Sequence, residues 1–233
     1  MEALVMAAGE GRRLRPLTER WPKPILPIDG RPVIGTLLRE LAAAGCREIT
    51  VIVGHLAAQV EALLGDGSAF GVELRLIRQP RPDGSADAVK RGLAAGAKPP
   101  LIVTTADTVF SPGDLARFAA AFARSGSPGA LAVRRQPPPG PGRPAVEVSG
   151  GRVRRLDAGT RGPLAHAALW GLGPGLAPYL EELPGPPYEL AEVYRRALAA
   201  GETVAAYEVG RTRDLTDPLD LVQENFLYLA RDE

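Results

Sequence analysis

"EALVMAAGEGRRLRPLTERWPKPILPI" spans residues 2–28 and decides how the chain is read. Its first part, "EALVMAA" (2–8), is a short apolar run that stops at Gly9, as a buried strand does. Gly9 and Gly11 follow, then Arg12, Arg13 and Arg15, then Lys23 between Pro22 and Pro24. The loop is not a dinucleotide fingerprint, because Leu14 stands where the third glycine of G-x-G-x-x-G belongs, and it has no Walker G-K-[ST]. On pattern alone it reads either as a phosphate-binding loop or as an ordinary basic one, and the chemistry for the first is present. Glycines let backbone N–H groups approach a phosphate, and arginine suits bidentate phosphate contact. The two prolines limit the backbone around Lys23, so its ammonium is presented rather than free to wander.

Working outward, strand and helix patterns alternate. Strands are expected at 48–54, 72–79 and 100–107, with helices at 32–45, 56–67 and 85–96, the last opened by a Ser85 cap. Such alternation with short connections argues for a parallel sheet covered by helices, in which ligands sit beyond the carboxyl ends of the strands. The glycine loop, Gln79 and Asp107 all fall at such ends. The second half is less regular. It reads as a helix at 113–124, a strand at 129–136 and a stiff loop "PPPGPGRP" (137–144). A hairpin (145–157) turning at Gly150–Gly151 follows, then strands at 165–172 and 203–210, and helices at 189–201 and 217–232. One mixed α/β domain with a closing helix is expected over 1–233.

Composition narrows the classes. The 28 Lys and Arg nearly balance the 27 Asp and Glu, so net charge gives no case for nucleic-acid or membrane partners. A single cysteine, Cys46, excludes an internal disulfide and reads as a small buried side chain. No stretch approaches a membrane span, and residues 2–8 lack the basic leader and long apolar region of a signal peptide. A soluble, cytoplasmic chain is expected. His55 and His166 have no partner pattern and read as structural.

The stretch "MAAGEGRRLRPLTERWPKPILPIDGRPVI" (6–34) resembles the signature AGGxGTRLxPLTxxxPKPxLPIxxxPhI of the sugar-1-phosphate nucleotidylyltransferases. "QPRPDGSADAV" (79–89) resembles that family's QxxPxGTAxAV block, "LIVTTAD" its strand ending in Asp, and "DLTDPLDL" (214–221), more loosely, its DxGTPEDL. The resemblance implies a Rossmann-like, GT-A-like three-layer α/β/α domain with a mostly parallel mixed sheet, 1–110 forming its nucleotide-binding half and 111–233 its acceptor-binding half with the closing helix. It also implies transfer of a nucleotidyl group from a nucleoside triphosphate to a sugar 1-phosphate, releasing pyrophosphate. That reaction asks for positioning and charge neutralisation. The substrates would be its partners, with a homo-oligomer open.

On the resemblance, Ala8, Gly9 and Gly11 would line the triphosphate, Arg13 would grip the departing pyrophosphate, and Lys23 would stabilise charge at the α-phosphate. Gln79 would read the base, its amide offering a donor and an acceptor to uracil or thymine, with Gly84 letting the base lie against backbone. UTP or dTTP is therefore favoured. Asp107 and Asp214 match the two carboxylates for Mg²⁺, an oxygen-seeking cation. Asp217, just before Pro218, offers a helix-cap explanation for the same stretch as Asp214. Glu189 resembles a residue that borders the sugar pocket, or is simply a helix N-terminal acid. Arg12 and Arg15 stand outside the core set. The acceptor half departs from the family: its Glu-Lys-Pro is absent from "RRLDAGTRGPLAHAALW", leaving Asp157 or Arg161 as substitutes, and Pro144 stands for a glycine. A non-sugar acceptor such as phosphocholine, or a catalytically silent regulator that binds a nucleotide-sugar, are the alternatives.

Overall fold

The computed structural model describes residues 1–140, 143–156, 162–181 and 183–226. Asp157, Arg161 and the part of the expected closing helix after 226 lie outside them. In chain order the elements begin with β1 (Glu2–Ala7), β2 (Pro27–Ile28), β3 (Arg31–Pro32), α1 (Val33–Ala43), β4 (Glu48–Val53), α2 (Ala57–Leu64) and β5 (Glu73–Arg78). Next come α3 (Ser85–Ala94), β6 (Leu101–Thr105), β7 (Thr108–Val109), α4 (Asp114–Ser125), β8 (Gly129–Arg134), β9 (Val146–Ser149) and β10 (Arg152–Leu156). The chain continues through β11 (Ala165–Leu172), α5 (Leu190–Ala199), β12 (Val204–Glu208), β13 (Arg213–Asp214) and α6 (Pro218–Asn225). Single turns of 3₁₀ helix at Arg12–Leu14, Leu17–Glu19 and Lys23–Ile25 shape the signature loop.

Among the described residues the main sheet has nine strands in the order β5-β4-β1-β6-β11-β8-β12-β10-β9. Pairing is parallel from β5 through β6 and between β8 and β12, and antiparallel on both sides of β11 and of β10. All strands of this sheet but β10 and β11 therefore run one way, the mostly parallel mixed sheet expected. The burial pattern follows from that position. β4, with Ile49–Val53 buried, is a central strand covered on both faces, whereas β5 at the sheet edge is half exposed.

Helices cover both faces, which completes the three layers. On one side Leu37, Leu38 and Leu41 of α1, Val60 of α2 and Phe118 of α4 pack against Val5 and Val51. On the other, Val89 of α3 and Val193 and Tyr194 of α5 pack against Leu4 and Val103. Cys46 is fully buried, as expected. A third, smaller core joins Leu14, Leu26, Ile28 and Val33 to Leu215. It lies under the signature loop and fastens it to the segment after β13. Among the described residues no helix is long and apolar enough to cross a membrane.

Two local readings need correction. Ser85 does not cap its own helix: Gly84 holds the cap position of α3, while the Ser85 hydroxyl accepts from Leu190 N at 2.7 Å and donates to Glu189 at 2.7 Å. The strand expected at 100–107 ends at Thr105, and Asp107 sits in the turn before β7. The hairpin does turn at Gly150–Gly151, both with positive φ.

Candidate active site

A cleft of about 400 Å³ opens at the carboxyl ends of β1, β5 and β6. Ala8, Gly9, Gly11, Arg13, Lys23, Gln79, Gly84, Asp107 and Glu189 all line it. A second lobe of about 430 Å³ shares Arg13, Lys23, Asp107 and Glu189 with the first and adds Asp214. The structure thus brings all ten predicted site residues to one two-lobed depression.

The glycine loop is held from behind. Gly11 has φ +62°, and a Cβ there would lie 2.9 Å from the Thr18 methyl. The Gly11 carbonyl accepts from Leu14 N at 2.8 Å and from the Thr18 hydroxyl at 2.9 Å. His55, expected to be structural, binds the Thr18 carbonyl at 2.5 Å. Gly9 has open space where a Cβ would go, so its backbone faces the cleft unshielded. Arg12 and Arg15 both turn to Glu10, at 2.8 and 3.4 Å. Arg13 has no ion pair or hydrogen bond among the described residues and is the cation left for a ligand.

Lys23 forms an ion pair with Asp107 across the cleft. Burial pushes the Asp107 carboxyl upward, but the Lys23 ammonium and the hydrogen bonds around it outweigh that and hold it below its ordinary value. Asp214 is brought alongside because β13 pairs with β7, placing Asp214 opposite Thr108. It answers to Arg134, a fully buried arginine at the end of β8: Nη1 donates to Oδ1 at 3.0 Å, and Nη2 lies 2.7 Å from Oδ2. Oδ2 nevertheless accepts no aligned hydrogen bond and is buried. Burial raises the Asp214 carboxyl, Arg134 pulls it back only in part, and Asp107 raises it further.

Asp107, paired with Lys23, and Asp214, paired with Arg134, are neighbouring oxygen donors of the kind a divalent cation takes together with phosphate oxygens. Among the described residues no group of three or more His, Cys, Asp or Glu side chains could hold a metal ion alone. Asp217 fulfils the other expectation for this stretch, accepting from Leu219 N and Asp220 N in a capping box on α6.

Gln79 is buried. Its Nε2 donates to the Gly84 carbonyl at 3.0 Å and to Asp87 Oδ2 at 2.7 Å. The donor half of the amide, expected to face a base, is therefore spent on the protein, and the carbonyl Oε1 remains for a ligand. Gly84 has φ +109°, and a Cβ would fall 2.3 Å from the Tyr188 carbonyl oxygen. Here glycine admits the chain leading into α5, which places Glu189 beside Ser85.

The second lobe contains residues that sequence reasoning missed as a site: Arg134, Arg143, His166, Ala168, Trp170 and Arg195. β11 changes register between His166 and Trp170, and Ala168 there has φ +53°, a position that ordinarily favours glycine. Its carbonyl accepts from Thr104 Oγ1 at 2.9 Å. Burial drives the His166 imidazole down to about 3, with Arg134 adding to the shift. Its ring lies 4.3 Å from that of Trp170. The arginines at 134, 143 and 195 were the available signal in the sequence, but none names a partner locally.

The chain belongs to the nucleotidyl transferase family, whose model matches residues 2–156. It is 39% identical over 112 residues to the N-acetylmuramate α-1-phosphate uridylyltransferase of Neisseria meningitidis serogroup B, a match covering 47% of this chain and 48% of that protein. It is 43% identical over 89 residues to a glucose-1-phosphate thymidylyltransferase of Streptomyces antibioticus, covering 38% of this chain and 25% of the relative. The matches thus span about half or less of the length of these curated relatives. A solved UDP-glucose pyrophosphorylase complexed with UDP-glucose shares the fold, with a TM-score of 0.84, 19% identity and 100% of both chains covered.

Proposed function

We propose that the protein transfers a nucleotidyl group from UTP or dTTP to a sugar 1-phosphate, giving a nucleoside-diphosphate sugar and pyrophosphate. One observation carries the reading: the glycine loop, Arg13, Lys23, Gln79 and Asp107, distant in sequence, line one cleft at the carboxyl ends of parallel strands. The relatives' names, a uridylyltransferase and a thymidylyltransferase of sugar 1-phosphates, point the same way.

In this reading the backbone of Ala8, Gly9 and Gly11 lines the triphosphate, and unpaired Arg13 holds the end that leaves as pyrophosphate. Lys23 turns from Asp107 to the α-phosphate, where charge builds as the sugar phosphate oxygen attacks in line. The second lobe, with Glu189 at its junction, takes the acceptor and orients its phosphate for that attack. Asp107 and Asp214 would hold Mg²⁺, which when bound neutralises phosphate charge and orders the triphosphate. The test is pyrophosphate release with UTP or dTTP and a panel of sugar 1-phosphates, with and without a chelator. Turnover that needs both substrates and stops with the chelator supports the reading. No release with any pair, under conditions where the chain is folded, would overturn it.

A further inference from the structure

Behind Gln79 stands Asp87, on the first turn of α3. It does not line the cleft but a separate concavity with Lys90 and Tyr188. Its Oδ2 accepts from Gln79 Nε2 at 2.7 Å and from Arg91 Nε at 2.6 Å. Burial alone would raise this carboxyl, but the hydrogen bonds from Arg91 and Gln79 hold it below its ordinary value, so it is ionised at neutral pH. The Gln79 amide therefore faces two acceptors on its inner side, the Gly84 carbonyl and an ionised carboxylate. Rotating the amide by half a turn would set its carbonyl oxygen against both, at the cost of two hydrogen bonds and with acceptor facing acceptor in their place.

We propose that Asp87 is a positioning residue for base selectivity: it locks the Gln79 amide so that only a hydrogen-bond acceptor, Oε1, is offered to the nucleotide. This rests on the reading of Gln79 as the base contact. An acceptor at that point matches the N3–H of uracil or thymine. Cytosine presents a lone pair at N3 and is refused there. A free glutamine would not discriminate so, because its amide can turn to offer N–H instead. Selectivity built by leaving a buried group unpaired with the wrong ligand is the strong kind.

The experiment is calorimetric titration of the full chain with UTP, dTTP and CTP, which needs no knowledge of the acceptor. The wild type is expected to bind UTP and dTTP at least tenfold tighter than CTP. In Asp87→Asn, nearly isosteric, the UTP-to-CTP affinity ratio should fall about tenfold, because asparagine can donate as well as accept and the Gln79 amide can turn. Asp87→Ala carries the same expectation should the asparagine variant misfold, and its thermal melt verifies the fold. A ratio unmoved in a folded variant overturns the lock, as does equal wild-type affinity for UTP and CTP, and both leave the nucleotide site standing. A wild type that binds none of the three overturns the lock together with the reading beneath it.

Discussion

The Lys23–Asp107 pair shows most plainly what residues do in this cleft. Each neutralises the other, so in the proposed reading an incoming triphosphate would have to compete with Asp107 for the ammonium. Lys23→Ala should lower turnover by at least about a hundredfold in a chain that still folds, with some fall in melting temperature as Asp107 loses its counter-ion, which paired kinetics and melting curves would check. A loss of activity matched by unfolding would make Lys23 a structural residue instead. At Gly84 the demand is steric. Gly84→Ala forces φ +109° on a residue with a Cβ and drives that Cβ into the Tyr188 backbone. A loss of about 1–3 kcal/mol in chemical denaturation is expected, with weaker UTP binding. The loop residues that line the cleft were legible in the sequence, because glycines, prolines and a lysine at fixed spacing within one loop carry their own geometry. Arg134 was not. It alternates with exposed Arg135 in "GALAVRRQ", and the charge that justifies burying it, Asp214, lies 80 residues away.

At the scale of elements, regular strands and helices were readable from apolar periodicity nearly throughout. The pieces that escaped are too short to have a period: β7 and β13 have two residues each, yet their pairing sets Asp214 beside Asp107. Ser85 escaped for another reason, since its partner is the start of α5 rather than its own helix. Element packing also places α6. Arg213 reaches both Asp29 after β2 and Glu224 on α6, and Asn225 Nδ2 donates to the Pro27 carbonyl at 2.8 Å. Arg213→Ala should release α6 from the signature loop. Amide exchange across 218–225 should then speed up while exchange in β1, β4 and β6 is unchanged. Uniform acceleration would mean that α6 is not a separately stable unit.

Across the whole molecule, the buried neutral His166 links stability to pH. Its imidazole titrates at about 3 when folded and near 6.5 when unfolded. The unfolded chain therefore takes up the proton first, and stability is lost as pH falls from about 6.5 toward 3, by at most about 1.4 kcal/mol per pH unit. His166→Phe should flatten this slope in denaturant titrations at pH 4, 5 and 7, and an unaltered slope would show that the imidazole is not buried neutral. The small core beneath the signature loop has a further bearing on how the protein comes into being. Leu14, Leu26 and Val33 close on Leu215, so a nascent chain that has already threaded out its glycine turn still shows a greasy underside. Only when the segment around residue 215 clears the ribosome can that underside be sealed, and a polypeptide cut at residue 156, where the family match stops, would carry the glycine loop without its floor.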